Sequence, residues 1–150
     1  MRTFTSADEL VAAAGQDLGT SDWHTVTQDQ IKAFADATGD HQWIHLDAER
    51  AADGPFGTTI AHGFLTLSLI PMLAREVYEV RGARMVVNYG LNRVRFPAPL
   101  PSGSDVRAQV TITEVTVDGD RTQVVSRVTI AARDAAKPCC VADTVAFFYF

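Results

Sequence analysis

Three patterns in the 150-residue sequence predict an α+β fold, a long curved antiparallel sheet wrapped around one apolar helix. First, residues 63–80 place Phe64, Leu65, Leu67, Leu69, Ile70, Met72, Leu73, Val77 and Val80 on nearly every side of a helix, and a helix without a polar face must be surrounded by protein. Second, from Arg84 onward the hydrophobic period becomes two, in segments of about twelve residues that reach roughly 40 Å at 3.3 Å per residue. Third, turn-forming stretches, PAPLPSGS at Pro97–Ser104 and Asp118-Gly119, separate these segments and send the chain back antiparallel.

The elements follow in order. A short helix is expected over Ala7–Ala14, opened by the capping box of Ser6 and Glu9 and stopped at Gly15. A second starts at Thr27, with Gln30 as its capping partner, carries Ile31, Phe34 and Ala35 on one face, and ends at Gly39. The apolar helix runs from Gly63 to Val80, and Pro71 must kink it or mark a restart because it removes a backbone hydrogen bond. Met85–Tyr89 and Leu91–Phe96 read as two strands, or as one broken at Gly90. Val106, Ala108, Val110 and Ile112 alternate with polar residues as a half-buried strand, and Arg121–Ala132 returns with Val124, Val128 and Ile130 on one face. Cys140–Tyr149 is the last strand.

Length fits one domain over residues 1–150, with no repeat, linker or low-complexity tract. No run of about eighteen apolar residues suggests a membrane span. The net charge of −5 argues against nucleic acid as the main partner. The N-terminus lacks a secretory pattern, and the adjacent Cys139 and Cys140 are poorly placed for a structural disulfide, so a reducing cytoplasm is the expected compartment. On a strand, that pair would send one side chain in and one out.

The chemistry concentrates between Phe34 and Gly63. This stretch holds Asp40 and three of the four histidines, His41, His45 and His62. Asp40 follows the helix-stop Gly39, and His45 comes five residues later, just before a helix start at Asp47. A carboxylate and an imidazole on one short loop can hold a single water, which is an acid–base arrangement. His62-Gly63 opens the apolar helix, and a glycine there leaves a bare N–H as an oxyanion donor. Taken singly, Asp40 reads as a turn residue and His45 as a hydrogen-bonded loop histidine. Asp40, His41, His45 and His62 could also supply zinc ligands, but their spacing is irregular and no metal is expected.

The order of these residues resembles the hydratase motif of the MaoC-like family, the (R)-specific 2-enoyl-CoA hydratases. It is carried by Phe34-Ala35, Thr38-Gly39-Asp40, His45-Leu46-Asp47 and Ile60-Ala61-His62-Gly63. Gln42 stands where the family has Asn, and Trp43 where it has Pro. The GDHQWIH loop is similar to that of the single-domain subgroup related to nodulation protein N, and the similarity continues through Asn88–Gly103.

The resemblance implies the hot-dog fold, a homodimer, and hydration of a trans-2-enoyl-CoA to an (R)-3-hydroxyacyl-CoA with water as second substrate and no cofactor. It assigns Asp40 as the group that takes the water proton, His45 as the one that orients the water, Gln42 as the residue fixing the pair, and Gly63 as the oxyanion donor. Trp43, Phe56, His62 and Phe64 are expected around the acyl group. Asn88, Tyr89 and Gly90 are expected along the substrate tunnel. Arg93 and Arg95, which share a face of a regular strand, are expected near the CoA phosphates. An acyl-CoA thioesterase and a non-catalytic acyl-CoA-binding partner subunit are the alternative readings.

Overall fold

A computed structural model describes residues 1–150. Four long strands, β5 (Met85–Arg95), β6 (Asp105–Asp118), β7 (Arg121–Ala132) and β8 (Cys140–Tyr149), make up most of a six-stranded antiparallel sheet. Its path is β2-β6-β7-β8-β5, with β2 (Asp17–Thr20) and β3 (His24–Thr25) both pairing with β6. Two further short strands, β1 (Arg2–Phe4) and β4 (Tyr78–Val80), pair in parallel. The helices are α1 (Ala7–Ala12), α2 (Gln28–Thr38), α3 (Trp43–Leu46), α4 (Ala48–Ala52), α5 (Gly63–Ser68) and α6 (Ile70–Val77).

Local sequence sets most of these boundaries. The Ser6 hydroxyl accepts from the Glu9 amide at the start of α1. Thr27 and Gln30 form a reciprocal capping box on α2, which ends at Gly39 in the left-handed conformation, φ 81°. The apolar helix is two helices meeting at Leu69, with Pro71 in the first turn of α6, where its missing N–H costs nothing. It also ends earlier than its composition suggests, because Tyr78–Val80 turn extended to pair with Arg2–Phe4. Strand β5 is continuous, and the break expected at Gly90 appears as a register shift between Asn88 and Gly90.

The main core lies between the paired helices and the concave face of the sheet. Leu65, Leu69, Ile70, Leu73 and Val77 pack against Val106, Ala108, Val110, Val128, Ile130 and Ala142. Leu73 is fully buried at the centre, so truncation to Ala would cost about 2–5 kcal/mol. A smaller cluster of Phe4, Leu10, Ile112, Val124 and Phe148 fills the space near α1. Cys139 and Cys140 both belong to the main core. The expectation of one thiol out is corrected, because Cys139 precedes the strand and its thiol turns inward to donate to the Ile130 carbonyl at 3.3 Å. No helix is long and apolar enough to cross a membrane.

Strand β5 differs from the other long strands. It forms one edge of the sheet, and every residue in it except Val94 is exposed.

Candidate active site

A helix stop and an Asx turn put Asp40 and His45 on one short segment. The left-handed turn at Gly39 ends α2 and delivers Asp40 to the loop beyond it. The Gln42 N–H then donates to Asp40 Oδ1 at 3.3 Å, an Asx turn that orients the carboxylate. Gln42 is also the residue immediately before α3, the single turn that carries His45.

His45 is buried and held on three sides. Its Nδ1 lies 2.7 Å from the carbonyl oxygen of Ile60. A carbonyl can only accept, so Nδ1 carries a proton, and in the neutral ring the free lone pair is on Nε2. Gln28 Nε2 donates to the His45 main-chain carbonyl at 2.8 Å, while the Gln28 Oε1 accepts from the Thr59 hydroxyl at 2.7 Å. The Ile60 N–H donates back to the carbonyl of Ile44 at 3.0 Å. Gln28 thus ties the His45 turn to the segment leading into α5. Sequence reasoning missed it, and its one signal is its place directly after the N-cap Thr27.

His62 closes the arrangement from below. It is 2% exposed, its Nε2 lies 2.9 Å from the Asp40 main-chain oxygen, and its ring stacks on His45 with centroids 3.8 Å apart and planes 25° apart. A donor atom from each of Asp40, His45 and His62 lies within 4.8 Å of the others. That separation suits one water bridging Asp40 and His45. It suits a metal poorly, because stacked rings direct their in-plane lone pairs along near-parallel planes rather than to one point.

Gly63 begins α5, and its N–H, in the first turn, has no intrahelical carbonyl to meet. The Phe96 ring occupies the space beside it, and a Cβ on Gly63 would come within 2.9 Å of that ring. His45, Gly63, Phe56, Ile60, Phe96 and Cys139 line one cavity of about 360 Å³. His45 and the first residue of α5 therefore border the same largely apolar space, where a hydrogen bond to developing charge is strengthened by the low dielectric.

Other expected residues fall elsewhere. Trp43 lines neither cavity: it packs on Gly54, whose missing side chain makes its seat, under the Arg50 guanidinium at 4.3 Å. Phe64 is 69% exposed and meets Phe96 edge-on at 6.1 Å, so it too lies outside both cavities. His62 is sealed under the loop rather than open to a ligand.

Asn88, Tyr89 and Gly90 border a second, larger cleft of about 730 Å³ between the α5–α6 pair and the sheet. Arg93 and Arg95 do share a face, as their spacing predicts, but it is the outer one. Val94 between them packs against the core opposite Ala142, while Arg93 lies opposite Asp143, which Arg127 binds with both Nε and Nη2. Arg127 and, more weakly, Arg93 hold the Asp143 carboxyl below the usual carboxylate range.

At the loop's exposed side, Asp36 accepts from His41 Nε2 at 3.0 Å and from Lys32 Nζ at 2.8 Å. Donating this hydrogen bond to the Asp36 carboxylate raises the His41 pKa above that of a free histidine.

A sheet wrapped around a central helix, with an aspartate, a histidine and a helix-start glycine converging at its end, defines a hot-dog dehydratase. The family described as MaoC like domain matches residues 9–134, and the chain belongs to it. Its members are hydro-lyases, enzymes that add or remove water. The chain is 56% identical over 146 residues to 3-hydroxyacyl-thioester dehydratase Z of Mycobacterium tuberculosis, covering 97% of both proteins. It is 43% identical over 148 residues to nodulation protein N of Rhizobium leguminosarum, covering 97% of this chain and 92% of the relative. Among solved structures, the monoamine oxidase regulatory protein of Archaeoglobus fulgidus superposes with a TM-score of 0.81 at 24% identity, covering 99% of this chain and 96% of the other. An R-hydratase from Pseudomonas aeruginosa superposes with a TM-score of 0.68 at 26% identity, covering 89% and 79%.

Proposed function

We propose that the chain catalyses reversible addition of water to a trans-2-enoyl-CoA, giving the (R)-3-hydroxyacyl-CoA. One observation carries this reading: a carboxylate oxygen of Asp40 and a ring nitrogen of His45 lie within 4.8 Å of each other, close enough to share one water, and His45 lines one cavity with Gly63. The water sits between the carboxylate and Nε2. As its oxygen bonds to C3, Asp40 takes one of its protons and electron density moves through the double bond onto the thioester oxygen. The Gly63 N–H donates to that oxygen. Asp40 then returns the proton to C2, so water is added overall and no cofactor is consumed.

Gln42 holds the Asp40 carboxylate through its main-chain N–H. The cavity shared by His45 and Gly63 receives the thioester, and Phe56 lies on its wall. Asn88, Tyr89 and Gly90 belong to the neighbouring cleft, whose apolar lining suits the acyl chain. On this reading Arg93 and Arg95 contact CoA phosphates only across a subunit boundary, because they face away from both cavities. The free, exposed edge of β5 supports pairing of two copies as a homodimer.

Incubation with crotonyl-CoA tests the assignment. Loss of enoyl-thioester absorbance without release of free thiol is the expected result. Thiol release would instead indicate a thioesterase, and neither signal, across acyl chains of increasing length, would indicate a non-catalytic acyl-CoA-binding subunit.

A further inference from the structure

His62 sits under the proposed catalytic pair without reaching the cavity that contains His45 and Gly63. It makes two contacts with the machinery. Its Nε2 meets the main-chain carbonyl of Asp40 across twenty-two residues of sequence, and its ring lies flat against that of His45. Phe34 supports the ring's side, with centroids 4.9 Å apart. The other nitrogen, Nδ1, is buried and has no partner.

A ring with one buried, unpartnered nitrogen is held by its remaining contacts. Since the Asp40 carbonyl only accepts, the His62 proton is on Nε2, opposite to the Nδ1–H form fixed in His45 by Ile60. The two stacked imidazoles are therefore of opposite tautomer. Each is set by a different main-chain carbonyl, and the carbonyl that His62 reads is that of Asp40 itself.

We propose that His62 is a positioning residue: its Nε2–H sets the distance between the Asp40 carboxylate and His45 Nε2 by anchoring the Asp40 backbone. The loop from Gly39 to Gln42 is otherwise exposed. Apart from the Asx contact to Gln42, no side chain fixes Asp40 against the buried His45. The proposal rests on the hydration reading above.

Three substitutions separate the two contacts. His62→Phe keeps a ring for stacking and removes the donor. His62→Gln removes the ring and places an amide N–H where Nε2 stood, whereas His62→Asn places it one bond short. The expected result is a fall in kcat of roughly 10- to 100-fold for Phe and Asn with KM within about twofold, and recovery to within about threefold of wild type for Gln. Activity is normalised to folded protein, so a Phe variant that fails to fold leaves the Gln–Asn comparison to decide. A Phe variant with more than about a third of wild-type kcat, or a Gln variant no better than Asn, overturns the proposal.

Imidazole ¹⁵N spectra of the labelled wild-type protein give an independent test. Protonated Nε2 on His62 with protonated Nδ1 on His45 is expected, and the Nδ1–H form of His62 overturns the anchor. If the wild-type protein hydrated no enoyl thioester, the hydration reading would fail, while the spectra would still decide whether His62 holds Asp40.

Discussion

The main-chain carbonyl of Ile60 accepts the His45 Nδ1 proton at 2.7 Å, and this contact leaves Nε2 as the ring nitrogen available to a water. Ile60 is two residues before His62 and three before Gly63. The segment that starts the central helix therefore supplies a free first-turn amide, the ring that meets the Asp40 carbonyl and the acceptor of the His45 Nδ1 proton.

The acid–base pair is tested by three replacements. Asp40→Asn and His45→Gln should each reduce hydration by roughly 10² to 10⁴. The double variant should lose far less than the product of the two, because both groups hold one water. His45→Asn can still donate to the Ile60 carbonyl but has nothing in the place of Nε2. It should melt close to wild type and be as inactive as His45→Gln. Turnover above about a third of wild type in any of them would remove that residue from the acid–base role.

Product stereochemistry is the second expectation. Hydration coupled to an (S)-specific 3-hydroxyacyl-CoA dehydrogenase should yield no reduced nicotinamide, while an (R)-specific one should. Signal from the (S)-coupled assay would contradict the assigned face of attack even with hydration confirmed.

Gly63 joins chemistry to packing. An added Cβ would stand 2.9 Å from the Phe96 ring, so Gly63→Ala must push that ring aside. Phe96 is 40% exposed and can move, which limits the loss of thermal stability. Activity should fall about 10²-fold, because the Cβ would hold the thioester oxygen out of reach of the retained N–H, an effect comparable to losing one oxyanion donor. Adding Phe96→Leu should restore the melting temperature without restoring turnover. If the double variant regained activity, Gly63 would be a packing residue only.

The two buried thiols predict a pH effect. Burial pushes Cys139 up to about 12 and Cys140 up to about 11, from 9.0 in each case. Unfolded, both ionise near 9, so between pH 9 and 11 only the unfolded state releases protons, and stability falls as pH rises. The slope is at most about 1.4 kcal/mol per pH unit for each thiol. Denaturant midpoints measured across that range should decline less steeply in a Cys139→Ala/Cys140→Ala variant. Equal slopes would show that the thiols do not titrate differently in the two states. Alkylation by iodoacetamide at pH 8 should likewise be slow until denaturant is added.

The features legible in the sequence are those fixed by local rules. The capping box at Thr27, the left-handed stop at Gly39 and the alternation of Val106 through Ile112 depend on neighbours within a few residues. The strands β1 to β4 were not legible, because two to four residues carry no measurable period and exist only through pairing with distant partners. The site divides the same way. Asp40, His45 and Gly63 lie close in sequence, whereas Gln28 and Phe96 reach them only through the fold. Spacing placed Arg93 and Arg95 on one face, but only the register with Ala142 and Asp143 shows which face that is.

The edge strand β5 has a consequence for handling the protein. Ten of its eleven residues are exposed, and its outer rim offers a row of unsatisfied peptide groups to any extended segment that meets it. A second copy pairing at that rim would stabilise the folded chain by mass action, and the melting temperature would then rise with protein concentration. Concentrated stocks of a chain that pairs in this way should outlast dilute ones, and melting curves recorded over a range of protein concentrations check it.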